Sequence, residues 1–307
     1  MTMIELVKNT KIDFMGLKKY AFVFSALLLV LGLVGTVQIY RGQANLGIDL
    51  EGGTSIQLKF QKPFSMNEIR SLLAKAGHGE AALQEVSGEN ILMIKLGAHG
   101  SQVEKMVAGP VEKLLRESLP GNPFVVESVS EIGPAIGHKL RQDAALALLI
   151  SALAIILYLA WRFEFKFGVA AAIATFHDVF VIVGIFWVLG IEMDLLFITA
   201  LLTIGGYSLT DTVVVFDRVR ENIRLRKMKT FSETINLSVN EVLSRTIITS
   251  LTTFLATVSL LAFGGIVLRD FALALTMGIA IGTYSSIFIA SPVVALWRGE
   301  KMTDVKR

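Results

Sequence analysis

The chain has 307 residues, of which 53% are hydrophobic and only 18% are charged. This composition differs strongly from that of soluble domains and predicts a polytopic membrane protein. The formal net charge is only +3, which gives no reason to expect nucleic-acid binding. A chain without cysteine also has neither disulfides nor cysteine-ligated metal sites.

Six segments meet or approach the run of about 20 apolar residues that a membrane-spanning helix requires. They are 20–40, 144–161, 167–191, 195–216, 246–263 and 271–297. Lysine and arginine cluster at both ends of the chain, between the second and third segments, and after the fourth. The two short connections on the opposite side contain a single basic residue, Arg269. The positive-inside rule therefore predicts that the terminal segments 1–19 and 298–307 are cytoplasmic.

An external domain is predicted over 41–142, between the first span and the five later spans, which lie within 143–297. Residues 54–60 alternate as in a strand, and Ser65 with Glu68 has the spacing of a capping box that starts a helix over 65–76. A hairpin of strands 81–86 and 90–96, a helix over 102–119 and a last strand over 124–132 follow. The order βαββαβ predicts an α+β, ferredoxin-like domain.

The domain shows no nucleophile elbow, phosphate loop or metal motif. Its histidines, His78, His99 and His138, are far apart without ligand spacing, so we expect them on the surface. No enzyme activity, cofactor or metal is therefore predicted.

The segment 47–54, with the sequence GIDLEGGT, joins the first span to this domain. It brings Asp49, Glu51, Gly52 and Gly53 together at the domain entry. Two interpretations are open: a turn that feeds the first strand, or a hinge or docking point between the membrane part and the domain.

The fourth span runs into YSLTDTVVVFDRVREN, residues 207–222, and contains Asp211 within an otherwise apolar run. An ionised carboxylate in hydrocarbon costs about 2.5–3.5 kcal/mol, so such a residue normally faces a partner or water. Asp211 lies roughly 10 Å inside the boundary marked by Arg218. Asp217 and Arg218 are predicted to be an interfacial charge cluster that supports the site.

His177 and Asp178 interrupt the third span roughly 15 Å from its start, near the middle of the membrane. A proton relay and a structural hydrogen bond between helices are equally compatible with this pair.

The fifth span places Thr249, Thr253 and Thr257 at four-residue intervals after Arg245, which predicts a polar face directed into the helix bundle. Arg245 and Asp211 lie at equal depth, about 26 Å from the outer surface at helical rise. If they pair, the pair is either a site that loads and unloads a proton or a static ion pair.

Two weaker patterns concern helix packing. Residues 228–240 have the apolar spacing of an amphipathic helix at the cytoplasmic surface. Gly278 and Gly282 form a Gly-x-x-x-Gly pair, which permits close approach of two helices.

Four motifs together resemble the SecF family of bacterial protein-export membrane proteins, within the resistance-nodulation-division superfamily. They are YSLTDTVVVFDRVREN, GIDLEGGT, FHDVF and SRTIITSLTT, in this chain's residues 207–222, 47–54, 176–180 and 244–253. The resemblance covers nearly the whole chain. It departs from the family pattern at Thr210, where the family often has asparagine.

The resemblance implies a subunit of the inner membrane that pairs with SecD and assists the SecYEG channel in moving preproteins, driven by the proton-motive force. It implies that Asp211 and Arg245 belong to the proton pathway and that SecD supplies a further carboxylate. It assigns no firm role to Asp49, His177 or Asp178. Six spans are similar to half of a pseudo-symmetric transporter. The alternatives are half of a proton-coupled small-molecule exporter and a non-conducting assembly factor.

Overall fold

The computed structural model describes residues 10–86, 90–97, 108–225 and 228–299. The chain divides into two compact units. One is helical and comprises Met1–Asn45, Ala147–Glu192 and Leu196–Arg307, and the other comprises Leu46–Leu146 with Met193–Leu195.

The second unit contains the predicted α+β domain. Its elements are α2 (Ile48–Glu51), β1 (Gly53–Phe60), α3 (Met66–Lys75), β2 (Ala82–Val86), β3 (Ile91–Gly97), α4 (Ala108–Ser118) and β4 (Phe124–Ile132). The strands form one antiparallel sheet in the order β2-β3-β1-β4, which confirms the ferredoxin-like arrangement. The predicted hairpin turn 87–89 and the first part of the predicted helix, 102–107, lie outside the described residues.

The core of this unit follows from alternation in β1. Ile56, Leu58 and Phe60 point to one face of the sheet and are buried against Leu73 of α3 and Leu115 of α4. Each buried side chain of this size contributes about 1.5–3 kcal/mol. The N-terminus of α3 is capped as the sequence predicts, because the Ser65 hydroxyl accepts a hydrogen bond from the backbone N–H of Glu68.

Six helical spans are long and apolar enough to cross a membrane, as predicted. They are α1 (Lys18–Tyr40), α5 (Pro134–Arg162), α6 (Phe165–Leu189), α7 (Leu195–Arg224), α8 (Phe231–Phe263) and a last span, Gly265–Arg298. Among them α6, α7 and the last span are the most buried, whereas α1, α5 and α8 expose most of their apolar surface. The chain is therefore a multi-pass membrane protein with α6, α7 and the last span at the centre of its helical unit.

The last span changes its helical pitch. It consists of α9 (Gly265–Ser285), a π-helical segment (Ser286–Ala290) and α10 (Ser291–Arg298). Pro292, at the start of α10, has no backbone N–H to donate. In a regular α-helix its ring would also clash with the carbonyl group one turn earlier. The Ser291 hydroxyl compensates in part by donating to the carbonyl of Ser286 at 3.0 Å.

The prediction of a separate surface helix over 228–240 is wrong. Its residues from Phe231 onward form the first part of α8, which starts at a capping box of Thr230 and Glu233 and continues without interruption. The 33 residues of α8 contain no glycine or proline and extend about 50 Å. Asn236 and Asn240 fix this part of α8 to the segment before α1, for example by mutual hydrogen bonds between Asn240 and the backbone of Ile12.

Glycines set two close helix crossings. A Cβ atom on Gly32 of α1 would collide with the backbone of Phe180 in α6, and one on Gly184 would collide with the backbone of Gly32. In α9, a Cβ on Gly282 would lie 3.2 Å from the Cβ of Ser208 in α7. The Gly278–Gly282 pair thus permits close packing of α9 on α7, as predicted.

Candidate functional site

Asp211 lies at the centre of the helical unit, on α7, with only 6% of its surface exposed. Its carboxylate accepts a hydrogen bond of 3.1 Å from the hydroxyl of Ser250 in α8. Ser250 in turn accepts one of 2.8 Å from the hydroxyl of Thr283 in α9. The Thr283 hydroxyl also lies 2.8 Å from the backbone carbonyl of Ile279. Three helices therefore contribute to one chain of hydrogen bonds that ends on a carboxylate.

This hydroxyl chain, Asp211–Ser250–Thr283, gives one carboxyl oxygen of Asp211 a hydrogen-bond partner with or without a proton. When Asp211 is ionised, Thr283 donates to Ser250 and Ser250 donates to Asp211. When Asp211 is protonated, each hydroxyl rotates, and Asp211 donates to Ser250, Ser250 to Thr283 and Thr283 to the Ile279 carbonyl. A hydroxyl has one donor and two acceptor positions, so both directions are possible without an unsatisfied group.

Arg245 does not form the salt bridge with Asp211 that equal depth suggests. Among the residues that the structure describes, no ion pair joins the two side chains, and the carboxylate of Asp211 is hydrogen-bonded to Ser250 instead. Arg245 is exposed. A pairing of the two therefore requires movement of the Arg245 side chain.

The polar residues of α8 that are buried are not all those that the four-residue spacing predicts. Arg245 and Thr249 are exposed, whereas Thr246 and Ser250, each one position further along the helix, are buried. Threonine and serine occur on both faces, so the four-residue spacing alone does not identify the buried one. The prediction that this face is directed into the bundle is wrong for Arg245 and Thr249, whereas Thr257 is buried as predicted.

Asp178 in α6 is fully buried and receives three hydrogen bonds. The hydroxyls of Ser208 in α7 and Ser285 in α9 donate to one carboxylate oxygen, the latter at 2.7 Å, and Nδ1 of His177 lies 2.9 Å from the other. Nε2 of His177 is buried without a hydrogen-bond partner among the described residues. This geometry joins three helices and favours the structural alternative for His177 and Asp178. A role as a proton relay remains a prediction.

Three consecutive residues of α9 connect these sites. Thr283 contacts Ser250, Ser285 contacts Asp178, and the Tyr284 hydroxyl lies 3.0 Å from both Ser25 Oγ and the Ala21 carbonyl of α1. The analysis of periodicity missed this segment. Its signal is a run of polar residues, Thr-Tyr-Ser-Ser, in an apolar span shortly before a proline.

Asp217 and Arg218 lie about 9 Å or more along α7 from Asp211 and form contacts of their own. Asp217 forms a 2.7 Å salt bridge with Arg162, at the end of α5. Arg218 donates to Glu221 at 2.6 Å and to Glu241 of α8 at 2.7 Å. The structure does not bring them into the Asp211 site.

At the domain entry, Gly52 and Gly53 have φ angles of +83° and +146°, which side chains with a Cβ rarely adopt. A Cβ on Gly52 would also lie 2.9 Å from the Cα of Pro134, at the start of α5. Gly53 already pairs in the sheet with Gly97, so the motif is a turn that feeds β1. Asp49 lies on α2, directly before this turn, and a hinge role stays a prediction.

The histidines of the α+β domain do not lie together where the structure describes them. His138 is exposed and His78 is half-buried, while His99 lies outside the described residues. No group of three metal-ligating side chains was found within the described ranges.

Comparison with known proteins identifies the family. Residues 111–300 match the model for the protein export membrane protein SecD/SecF, C-terminal, and residues 44–64 match that for the SecD/SecF GG motif. The chain belongs to the SecD/SecF family. Its similarity is to SecF subunits: the protein translocase subunit SecF of Thermodesulfovibrio yellowstonii is 49% identical, over 96% of this chain and 97% of that protein. The protein translocase subunit SecF of Calditerrivibrio nitroreducens is 40% identical, over 95% of this chain and 96% of that protein.

Solved structures of the SecD/SecF family agree in fold. A crystal structure of SecDF from Thermus thermophilus, described as a translocon-associated membrane protein, matches with a TM-score of 0.81 and 37% identity. The match covers 94% of this chain but 39% of that longer chain. A second structure, of SecDF in a super-membrane-facing form, has the same identity and a TM-score of 0.68. This SecF-family chain is a transport subunit and not an enzyme.

Proposed function

We propose that this chain pairs with SecD and uses the proton-motive force to assist SecYEG in moving preproteins across the bacterial inner membrane, with both termini in the cytoplasm. The observation that supports it most is the hydroxyl chain at Asp211. A proton-driven protein needs a group inside the membrane that is stable in both protonation states. Asp211 has hydrogen-bond partners for both.

The proposed cycle begins with ionised Asp211, which accepts from Ser250. Uptake of a proton by Asp211 reverses the hydrogen bonds through Ser250 to Thr283, on three different helices. Thr283 lies two residues from Ser285, which holds Asp178, so a change in α9 reaches α6 as well. Proton binding is thereby coupled to helix packing, which is the requirement for work on another protein.

Arg245 is proposed as the counter-charge of the pathway. An arginine that is exposed on a membrane span is unfavourable in lipid, so a partner is expected to cover it. SecD is the proposed partner, and a carboxylate of SecD would pair with Arg245 when Asp211 is protonated.

The test is force-dependent translocation by membrane vesicles that contain this chain, SecD and SecYEG. Asp211→Asn retains the size of the side chain but loses the titratable proton, so we expect the force-dependent step to disappear at equal abundance of the complex. Unchanged translocation with Asp211→Asn would contradict the proposal and leave an assembly role.

Each hydroxyl of this hydroxyl chain can be removed and compared with the removal of another hydroxyl from the same helix. Ser250→Ala should reduce the force-dependent rate about tenfold or more, since a hydrogen bond to a charged group is worth about 1.5–3 kcal/mol. Ser259→Ala, also in α8, removes a hydroxyl that bonds only its own helix and should have little effect. For α9, Thr283→Val is compared with Thr276→Val, whose hydroxyl bonds the Ala272 carbonyl.

The exporter alternative makes a different prediction for copurification. Half of a small-molecule exporter would copurify with a second transporter half but not with SecYEG. Recovery of this chain with SecD and translocase subunits favours the proposed function.

A further inference from the structure

A cavity of about 510 Å³ opens at the end of α7, away from the Asp211 site. Arginine and carboxylate side chains form most of its wall. The lining residues are Arg162, Asp217, Arg220, Glu221, Arg224 and Leu225.

The charges of this cavity are unbalanced in favour of arginine. Glu221 is engaged by Arg218, outside the cavity, at 2.6 Å. Asp217 contacts two of the guanidinium groups, those of Arg162 at 2.7 Å and Arg220 at 3.8 Å. Arg224 is exposed and forms no salt bridge with the residues that the structure describes.

Arg220 is incompletely paired at this cavity. Its guanidinium reaches Asp217 only at 3.8 Å, and its Nε has no hydrogen-bond partner among the described residues. Its guanidinium lies 5.7 Å from the ring of Phe163, which fixes the side chain at the cavity wall. Leaving a buried donor unsatisfied is unfavourable, and a planar guanidinium is well suited to bind phosphate oxygens.

Exposed apolar side chains flank the same end of the helices. Trp161 and Phe165 are 84% and 71% exposed, and Leu225 is also exposed. Aromatic residues at this level mark the boundary between acyl chains and headgroups. The cavity thus lies where a lipid phosphate lies, at the end of the spans that is proposed to be cytoplasmic.

We propose that this arginine cavity binds the phosphate of an anionic phospholipid. Arg220 and Arg224 hold the phosphate, Arg162 and Asp217 fix the arrangement of the arginines, and the acyl chains lie along Trp161 and Phe165. The proposal rests on the proposed orientation, because the cytoplasmic leaflet attracts basic side chains through its anionic lipids. It does not depend on proton coupling at Asp211.

The experiment is native mass spectrometry of the full chain in neutral detergent, titrated with phosphatidylglycerol, with phosphatidylcholine and with inorganic phosphate. The double variant Arg220→Gln, Arg224→Gln should bind phosphatidylglycerol roughly 25-fold more weakly, because each basic residue contributes about fivefold. The charge-matched control is Lys113→Gln, Arg116→Gln on α4, which should leave lipid binding unchanged.

Several results would overturn this proposal. Equal binding of phosphatidylcholine by the wild type would show that the anionic charge is not recognised. Binding of inorganic phosphate as tight as that of phosphatidylglycerol would assign the site to a free anion. If the double variant does not fold, the preference of the wild type for phosphatidylglycerol, and its loss on raising the salt concentration, decides the question. Translocation is not measured, so this proposal and the proposed function fail separately.

Discussion

The two buried carboxylates, Asp178 and Asp211, differ in what surrounds them. Asp178 has three hydrogen-bond partners, the hydroxyls of Ser208 and Ser285 and the imidazole of His177. Asp211 has one hydroxyl partner, Ser250, whose hydrogen bond reverses when the carboxyl group takes up a proton. The more extensive contacts of Asp178 favour a structural role, whereas Asp211 is the proposed proton site.

Asp178→Asn should destabilise the helical unit. The amide nitrogen would face a hydroxyl or imidazole donor, and loss of that hydrogen bond costs about 1–3 kcal/mol. We expect a lower unfolding temperature for Asp178→Asn than for Asp211→Asn, both measured in the same detergent. A stable Asp178→Asn protein that has lost force-dependent transport would instead place Asp178 on the proton pathway.

Asp13, before α1, provides a pH-dependent contact outside the spans. The backbone N–H of Gly16 and then the side chain of Asn236 hold the pKa of Asp13 below its ordinary value of 3.8. Because the pKa is lower in the folded state, this contribution to stability is complete above the unfolded pKa. It is lost as the pH falls through the folded pKa.

Asp13→Asn should therefore flatten the stability profile at the acidic end. Hydrogen exchange of residues 13–16 in detergent, between neutral pH and about pH 3, measures the effect locally. The wild type should lose protection at the lower pH, and the variant should show low protection throughout. Equal acid sensitivity of both proteins would exclude Asp13 as the titrating group.

Asp211 could be found from the sequence because a charge within an apolar run is rare. Ser250 and Thr283 could not, since serine and threonine in spans commonly bond the carbonyl of their own helix, as Thr249 and Thr276 do here. Which hydroxyl reaches another helix depends on helix rotation. That rotation is set by packing against neighbours and is not encoded in the spacing of polar residues alone.

At the scale of elements, the apolar runs located the spans but underestimated their lengths. Helices α5 and α8 extend well beyond the apolar segments, because polar residues alone do not end a helix; α8 contains no glycine or proline, and in α5 the proline stands at the first position. The strand order of the α+β domain was predictable from its βαββαβ pattern. The π-helical segment was not, although Pro292 is its cause.

The crossing of α1 and α6 gives a prediction for these elements. Gly32→Ala would place a Cβ on the backbone of Phe180, and such overpacking costs about 1–3 kcal/mol. Gly206→Ala is the matched control, because nothing lies within 4 Å of its Cβ position and alanine favours a helix. Thermal unfolding in detergent should separate the two; equal stability of both variants would mean that α1 shifts freely on α6.

At the scale of the whole molecule, this chain covers 39% of the SecDF chain that it resembles, and its own six spans leave a polar face on α8 exposed. Sequence analysis predicted the polar residues of that face and a partner. It assigned the face to the wrong neighbour, because polarity in a span indicates contact with protein or water but does not identify which protein.

The exposure of Arg245 predicts a short half-life for the chain when it is not assembled with its partner. A subunit that is made without its partner leaves the guanidinium of Arg245 uncovered, and we expect such unassembled chains to be less stable and to be degraded faster. We expect a short half-life for the unpartnered chain in a pulse-chase experiment and a longer one with SecD present. Arg245→Leu should lengthen the half-life of the unpartnered chain and abolish force-driven transport. Arg245 would then both require the partner for function and limit the amount of this chain to the amount of its partner.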